Sequence, residues 1–161
     1  MSGQAPHLLI CYDASDRAKH AIEVTGRLFP GATATVLHVW EPVEHIVARY
    51  AVLAPYLGEQ VDEADAGAER DSHTVAQEGA DLATQAGLHA SAESVTLQMS
   101  VWQAVIEAAN QLDPDVVITG TRSLHGIQEL LVGTLSHALL QHCRVPVLAI
   151  PAPEAAPDAG R

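Results

Sequence analysis

Five short apolar runs, separated by segments long enough for helices, constrain this chain more than any other feature. Leu8–Tyr12, Thr35–Val39, Ser94–Gln98, Val116–Thr119 and Pro146–Ile150 read as strands. Several are nearly continuous in Val, Leu and Ile, the pattern of strands covered on both faces. Between them lie helical patterns. Ser15 is placed to cap a helix with Asp16 in its first turn, where the helix dipole favours negative charge. Ala18, Ala21, Ile22, Thr25 and Leu28 then fall on one face of that helix. A second helix is expected over Glu59–Ala86, ending before Gly87, and a third over Trp102–Leu112. The third carries Val105, Ala108, Ala109 and Leu112 at helical spacing. It must stop near Asp113, because Pro114 disfavours helix in the residue before it. A fourth includes Leu135, Ala138, Leu139 and His142. Strands alternating with helices predict an α/β fold, an open and mainly parallel five-stranded sheet with helices on both faces.

The 161 residues suit one domain, 1–161, with its core over about 7–151. The Ala/Pro-rich end, 152–161, reads as a flexible tail. Glu41–Gly58 resists assignment: a lid, a partner surface and a long crossover all fit it, the last being the simplest. With aromatics at only 4%, the core must be built from Ala, Val, Leu and Ile. No apolar run approaches the roughly 20 residues that span a bilayer. Met1–His7 lacks the basic-then-apolar pattern of a signal peptide, so a cytoplasmic location without membrane contact is expected. A net charge of −12 with no Lys/Arg cluster argues against nucleic acid as a partner. Cys11 and Cys143 are far apart in sequence and form no metal-like pair, and Cys11 reads as a small buried hydrophobe.

In an open parallel sheet, ligands bind beyond the carboxyl ends of strands, where strand order reverses. Asp13-Ala14-Ser15 follows the first strand. Gly120-Thr121-Arg122-Ser123 follows the fourth, and Gly133-Thr134-Leu135-Ser136 comes soon after. This chemistry suits a phosphate. Glycines let backbone approach a ligand closely, and a helix starting near Thr134 directs free N–H groups at an anion. Thr134 and Ser136 hydroxyls can donate to phosphate or ligate Mg²⁺, and Arg122 supplies a fork of donors. The same residues also serve as ordinary turns and helix caps, and Asp13 can equally be a helix-start residue.

The order of these pieces resembles the universal stress protein family. Leu9-Ile10-Cys11-Tyr12-Asp13-Ala14-Ser15-Asp16 looks like its opening strand and turn, and Leu37-His38-Val39 is similar to its second strand. Asp115–Ser123 and Leu130–Ser136 resemble its nucleotide loop, and Val145-Pro146-Val147-Leu148 its closing strand. The resemblance implies strand order 3-2-1-4-5, the arrangement of adenine nucleotide alpha-hydrolase-like folds, and ATP as ligand, with Mg²⁺, AMP or a cyclic nucleotide as further candidates. It implies that Asp13 contacts the ribose and that the Val39 backbone reads the adenine edge. Gly120, Ser123, Gly133, Thr134, Leu135 and Ser136 would hold the phosphates, with Arg122 helping. It also implies a homodimer formed through the last strand. The family's nucleotide loop has the pattern G-x2-G-x9-G-[ST]. This chain supplies Gly120 and Gly133-Thr134 but has Ser123 at the second glycine. A second departure is Ser100-Val101-Trp102, where many members have a glycine and a proline. Trp102 there either lines the cleft or covers a helix end.

Three functions compete on this reading. One is a nucleotide-binding stress-response or signalling module, and another a nucleotide-free homodimer for protein interaction, which Ser123 favours. The third, an enzyme, has little support. The chain has no GxxxxGK[ST], GxGxxG or GxSxG motif, and the turn after the first strand is not the serine/glycine-rich loop of ATP pyrophosphatases. His137 and His142 do not share a helix face for a metal, and His125 is expected in a solvated loop. Dedicated catalysis is not expected, and ATP hydrolysis would be slow and incidental. A flavodoxin-like carrier would need aromatic residues to sandwich a flavin, and the loops supply few candidates.

Overall fold

A computed structural model describes residues 5–49, 58–121 and 134–153. In chain order its elements are β1 (His7–Cys11), α1 (Asp16–Leu28), β2 (Thr33–Trp40), α2 (Val43–Arg49), α3 (Gly58–Gln85), β3 (His89–Thr96), α4 (Val101–Leu112), β4 (Val116–Thr121), α5 (Thr134–His142) and β5 (Val147–Pro151). The strands form one sheet in the order β3-β2-β1-β4-β5, with every neighbouring pair parallel. Strand order and parallel pairing agree with the sequence expectation.

The apolar runs explain the layers. β1 sends Leu8 and Ile10 to one face and Leu9 and Cys11 to the other, so both faces need cover. On the first face they meet Ala18, Ala21 and Ile22 of α1 and Ala80 and Ala83 of α3. On the second they meet Val105, Ala108 and Ala109 of α4 and Leu139 of α5. Leu8, Leu9, Ile10 and Ile118 are wholly buried, and burial of such a side chain stabilises by about 1.5–3 kcal/mol. Small residues on α3 let it lie close to the sheet. A Cβ at Gly79 would stand 2.7 Å from the Tyr12 ring and from Val36 Cγ1.

Helix ends follow local chemistry. The Ser15 side chain accepts from the Ala18 N–H at 3.3 Å and caps α1. Ser100 likewise accepts from the Gln103 N–H at 3.4 Å and starts α4. Pro30 and Gly31, the latter at φ 74°, follow the end of α1. α4 ends on Asp113, whose φ of 47° is left-handed, immediately before Pro114.

Three expectations need correction. β3 begins at His89 rather than Ser94, and it ends at Thr96 rather than Gln98. It lies at the sheet edge, and its sequence HASAESVT alternates exposed with half-buried positions instead of forming an apolar run. Its register is carried by main-chain pairing, from His89 opposite Thr33 to Thr96 opposite Trp40. Second, Glu41–Gly58, for which the sequence offered no regular element, contains a helix, α2, over Val43–Arg49. The Asp65 carboxylate accepts from the Val43 N–H at its start, tying it to α3, although none of its residues is buried. Residues 50–57 of that stretch lie outside the described residues, as does the tail expected over 152–161 from Glu154 onward, while the Ala152 N–H, at its start, still donates to the Thr121 carbonyl at 3.0 Å. Third, β4 continues past Thr119 through Gly120 and Thr121, which pair with Ile150 and Pro151 of β5.

Candidate functional site

β1 lies between β2 and β4, and the helices that follow β1 and β4, α1 and α5, pack on opposite faces of the sheet. A cavity of about 420 Å³ opens where they part, at the strands' carboxyl ends. Its floor is apolar, formed by Cys11, Leu37 and Val39 with Val101 and Val105 of α4. Asp13, Arg17, Thr119, Gly120 and Thr121 bring polar groups to it, and Tyr12, Ala18, and Leu135 and Ser136 of α5 complete the described lining. Such a cleft suits a ligand with a flat apolar part and a polar or charged end.

The Asp13 turn is built locally. Asp13 Oδ1 accepts from the Ser15 amide at 3.1 Å and from the Ser15 hydroxyl, and Oδ2 accepts from Arg17 Nη2 at 2.9 Å. Burial by itself would raise the Asp13 carboxyl. The Ser15 hydrogen bonds and the Arg17 guanidinium outweigh it, holding the group below its ordinary value as a carboxylate. The turn requires Ala14 at φ 60°, a left-handed conformation that a residue with a Cβ adopts at some strain.

Gly120 serves a different need from the one its loop position suggests. Its φ is not left-handed, so no special torsion requires glycine there. A Cβ on it would stand 2.7 Å from the Arg17 carbonyl oxygen and 3.1 Å from the carbonyl carbon. Glycine is therefore what lets β4 pass directly against the first turn of α1.

Behind Asp13, Tyr12 is buried and donates its hydroxyl to Glu78 Oε1 at 2.9 Å. Lys19 Nζ pairs with the same oxygen at 3.0 Å. Burial first, then the Glu78 hydrogen bond, raises the Tyr12 phenol. The hydrogen bond from Lys19, followed by that from Tyr12, lowers Glu78. His38 Nδ1 donates to the Tyr12 carbonyl at 2.9 Å. These contacts tie the end of β1 to α1, α3 and β2, giving the Asp13 turn a firm base.

Of the residues singled out in the sequence, Asp13, Val39, Gly120, Leu135 and Ser136 line this one cavity. Thr134 opens α5 as expected. Arg122, Ser123 and Gly133 lie outside the described residues, as does His125. Trp102 resolves to the second of its two readings. Its ring stacks on that of His142, with centroids 5.0 Å apart and planes 25° apart, so it joins the start of α4 to the end of α5.

Sequence reasoning missed Arg17, the one basic side chain among the described lining residues. The available signal was its i, i+4 spacing from Asp13. Cys11 and Cys143 also prove closer than their sequence separation suggests, sharing one apolar cluster. Burial, with smaller contributions from Cys143 and Asp13, pushes the Cys11 thiol up to about 12. At neutral pH it is an uncharged part of the cavity floor.

The sheet order and switch-point cleft define an α/β protein built on an open, all-parallel sheet with helices on both faces. The sequence profile of the universal stress protein family matches residues 5–151, and the chain belongs to that family. It is 28% identical over 145 residues to the Thermus aquaticus universal stress protein in the QAH/OAS sulfhydrylase 3′ region, covering 89% of this chain and 96% of that one. Among solved structures, hypothetical protein MJ0577 superposes with a TM-score of 0.71 at 15% identity, covering 94% of this chain and 99% of that chain. A universal stress protein in complex with cAMP gives 0.61 at 18% identity, with 94% and 100% covered. An Arabidopsis thaliana family member with AMP bound gives 0.59 at 18% identity, with 95% and 97% covered. Among the described residues, no helix is long and apolar enough to cross a membrane.

Proposed function

We propose that this protein binds ATP or a related adenine nucleotide in the switch-point cleft and acts as a stress-response or signalling module. The observation that carries this reading is the cavity itself, an apolar floor ending at an ionised carboxylate beside a guanidinium and the first turn of α5. The adenine lies over Val39 and Leu37, its edge read by the Val39 backbone. Asp13 accepts from ribose hydroxyls. The phosphates are held by Gly120, Ser123, Gly133, Thr134, Leu135 and Ser136 with Arg122, and a Mg²⁺ ion, where present, would be held by the Thr134 and Ser136 hydroxyls and would offset phosphate charge. The AMP and cAMP complexes of similar folds support the ligand class.

The module works through occupancy rather than turnover, in the cytoplasm, with slow ATP hydrolysis at most incidental. β5 ends the described sheet with an unpaired edge, and pairing of two such edges forms the proposed homodimer. Equilibrium dialysis with ATP and magnesium tests the ligand claim, and no binding at millimolar concentration would sink it. Mass spectrometry of ligand released from freshly purified protein would identify the nucleotide.

Ser123 at the motif glycine favours a second reading, a nucleotide-free interaction homodimer. Ser123→Gly decides between them: ATP binding that appears only in the variant marks the natural loop as a degenerate site.

A further inference from the structure

We propose that Arg17 is the residue by which the cleft distinguishes a phosphorylated nucleoside from a bare one. This rests on the nucleotide reading above and assigns the recognition of ligand charge to a residue outside the glycine loop. Arg17 is held at both ends. Its main-chain carbonyl packs against Gly120, where an added Cβ would stand only 2.7 Å from the carbonyl oxygen. Its guanidinium is fixed by the 2.9 Å contact from Nη2 to Asp13 Oδ2. Between these anchors the side chain forms part of the cavity wall and keeps about a third of its surface open, 34%.

A guanidinium carries five N–H donors in a planar fork, and the contact with Asp13 engages one nitrogen. The remaining donors can receive a second anion without breaking the first contact. Asp13 and Arg17 then work as a unit. The carboxylate offers acceptors to sugar hydroxyls, and the adjacent guanidinium offers donors to a phosphate carried by the same sugar. The need for a local cation is acute in a chain of net charge −12 with only eight Lys and Arg residues.

The test compares dissociation constants for AMP and adenosine in the wild type, Arg17→Gln, Arg17→Lys and the double variant Asp13→Asn/Arg17→Gln. Loss of a charge-assisted hydrogen bond should weaken AMP by roughly 10- to 100-fold in Arg17→Gln, with adenosine nearly unchanged. Arg17→Lys, which keeps the charge but loses the fork, should fall between. The AMP-to-adenosine preference should stay low in the double variant. Its recovery there would show that Arg17 only neutralises Asp13, overturning direct contact. A parallel loss for both ligands, or no change, would overturn the proposal and leave Arg17 as helix support. A wild type that binds neither ligand overturns the nucleotide reading itself, a result separate from an unaltered preference in a protein that binds AMP.

Discussion

Gly120→Ala asks whether a glycine at the mouth of the cleft is there for the ligand or for the fold. The new methyl would sit 2.7 Å from the Arg17 carbonyl oxygen, a backbone atom that cannot swing aside. Either the first turn of α1 or the end of β4 must move. Both are pinned, α1 by the Ser15 cap and β4 by its pairing of Gly120 with Ile150. Overpacking of this kind costs about 1–3 kcal/mol. Alanine also stiffens the unfolded chain, which returns about 0.4–1 kcal/mol. The net expectation is a loss of about 1–2 kcal/mol, or roughly 2–8 °C in Tm for a domain of this size. The assay is thermal unfolding followed by circular dichroism on protein stripped of nucleotide, because bound ligand would itself raise the Tm. A stripped variant that melts with or above the wild type would refute the packing argument and return Gly120 to a purely ligand-facing role.

Asp13→Asn should flatten the acid side of the stability profile. The folded carboxyl lies below its ordinary value, so its contribution is complete above that value, about 3.9, and is lost as pH falls through the folded one. Melting curves from pH 6 to 2 check this, and parallel wild-type and variant profiles would count against it. Cys11, raised from 9.0 to about 12, behaves in the opposite sense. Its stabilisation is complete below 9 and lost as pH rises toward 12, so Cys11→Ala should reduce the alkaline slope in the same measurement. The native thiol should also resist iodoacetamide at pH 8, as read by peptide mass spectrometry. Leu9→Ala, at a site with no solvent exposure, should lose about 2–5 kcal/mol in urea denaturation. Ala14→Gly removes a left-handed alanine and should leave stability within about 1 kcal/mol of wild type, because relieved strain offsets added unfolded-state entropy.

Legibility followed burial. β1, β2, β4 and β5 lie in the part of the sheet where side chains on both faces meet helices or neighbouring layers, and their Val, Leu and Ile runs announced them. β3 carries little of that signal: His89, Ser91 and Glu93 face solvent while Ala90, Ala92 and Ser94 face inward half-buried. Only its last residues look like a strand, so the readable pattern begins five residues after the strand does. α2 escaped because it is only seven residues long: Val43, Ile46 and Val47 share a face, but two turns are too short a window to read as a helix, and none of these residues is buried. At the cleft, Asp13 and Gly120 were visible from their places at strand ends. Their partners were not. Nothing in the sequence says that the Arg17 carbonyl meets Gly120, because that contact depends on β1 and β4 lying side by side with α1 across them. The sequence offers only the i, i+4 spacing of Arg17 from Asp13, while its contact with Gly120 exists only once the strands pair.

That shared contact links stability to the proposed recognition. Gly120 lies on a strand whose neighbours Thr119 and Ile118 are buried in the core, and the Arg17 backbone rests on it. The guanidinium then reaches Asp13, whose turn stands on Tyr12 and its bond to Glu78. Each link in this chain is set by packing or by a hydrogen bond inside the described fold, and none passes through position 123. The carboxylate–guanidinium end of the cleft is therefore assembled whether or not Ser123 can take the place of a motif glycine. If Ser123 weakens the hold on the outer phosphates, the part of the site that persists is suited to a nucleoside with a single phosphate near the sugar. Affinity should then fall less steeply for AMP than for ATP when Ser123 is compared with Ser123→Gly. Dialysis of both nucleotides against both proteins measures this, and an equal gain for AMP and ATP on restoring the glycine would contradict it.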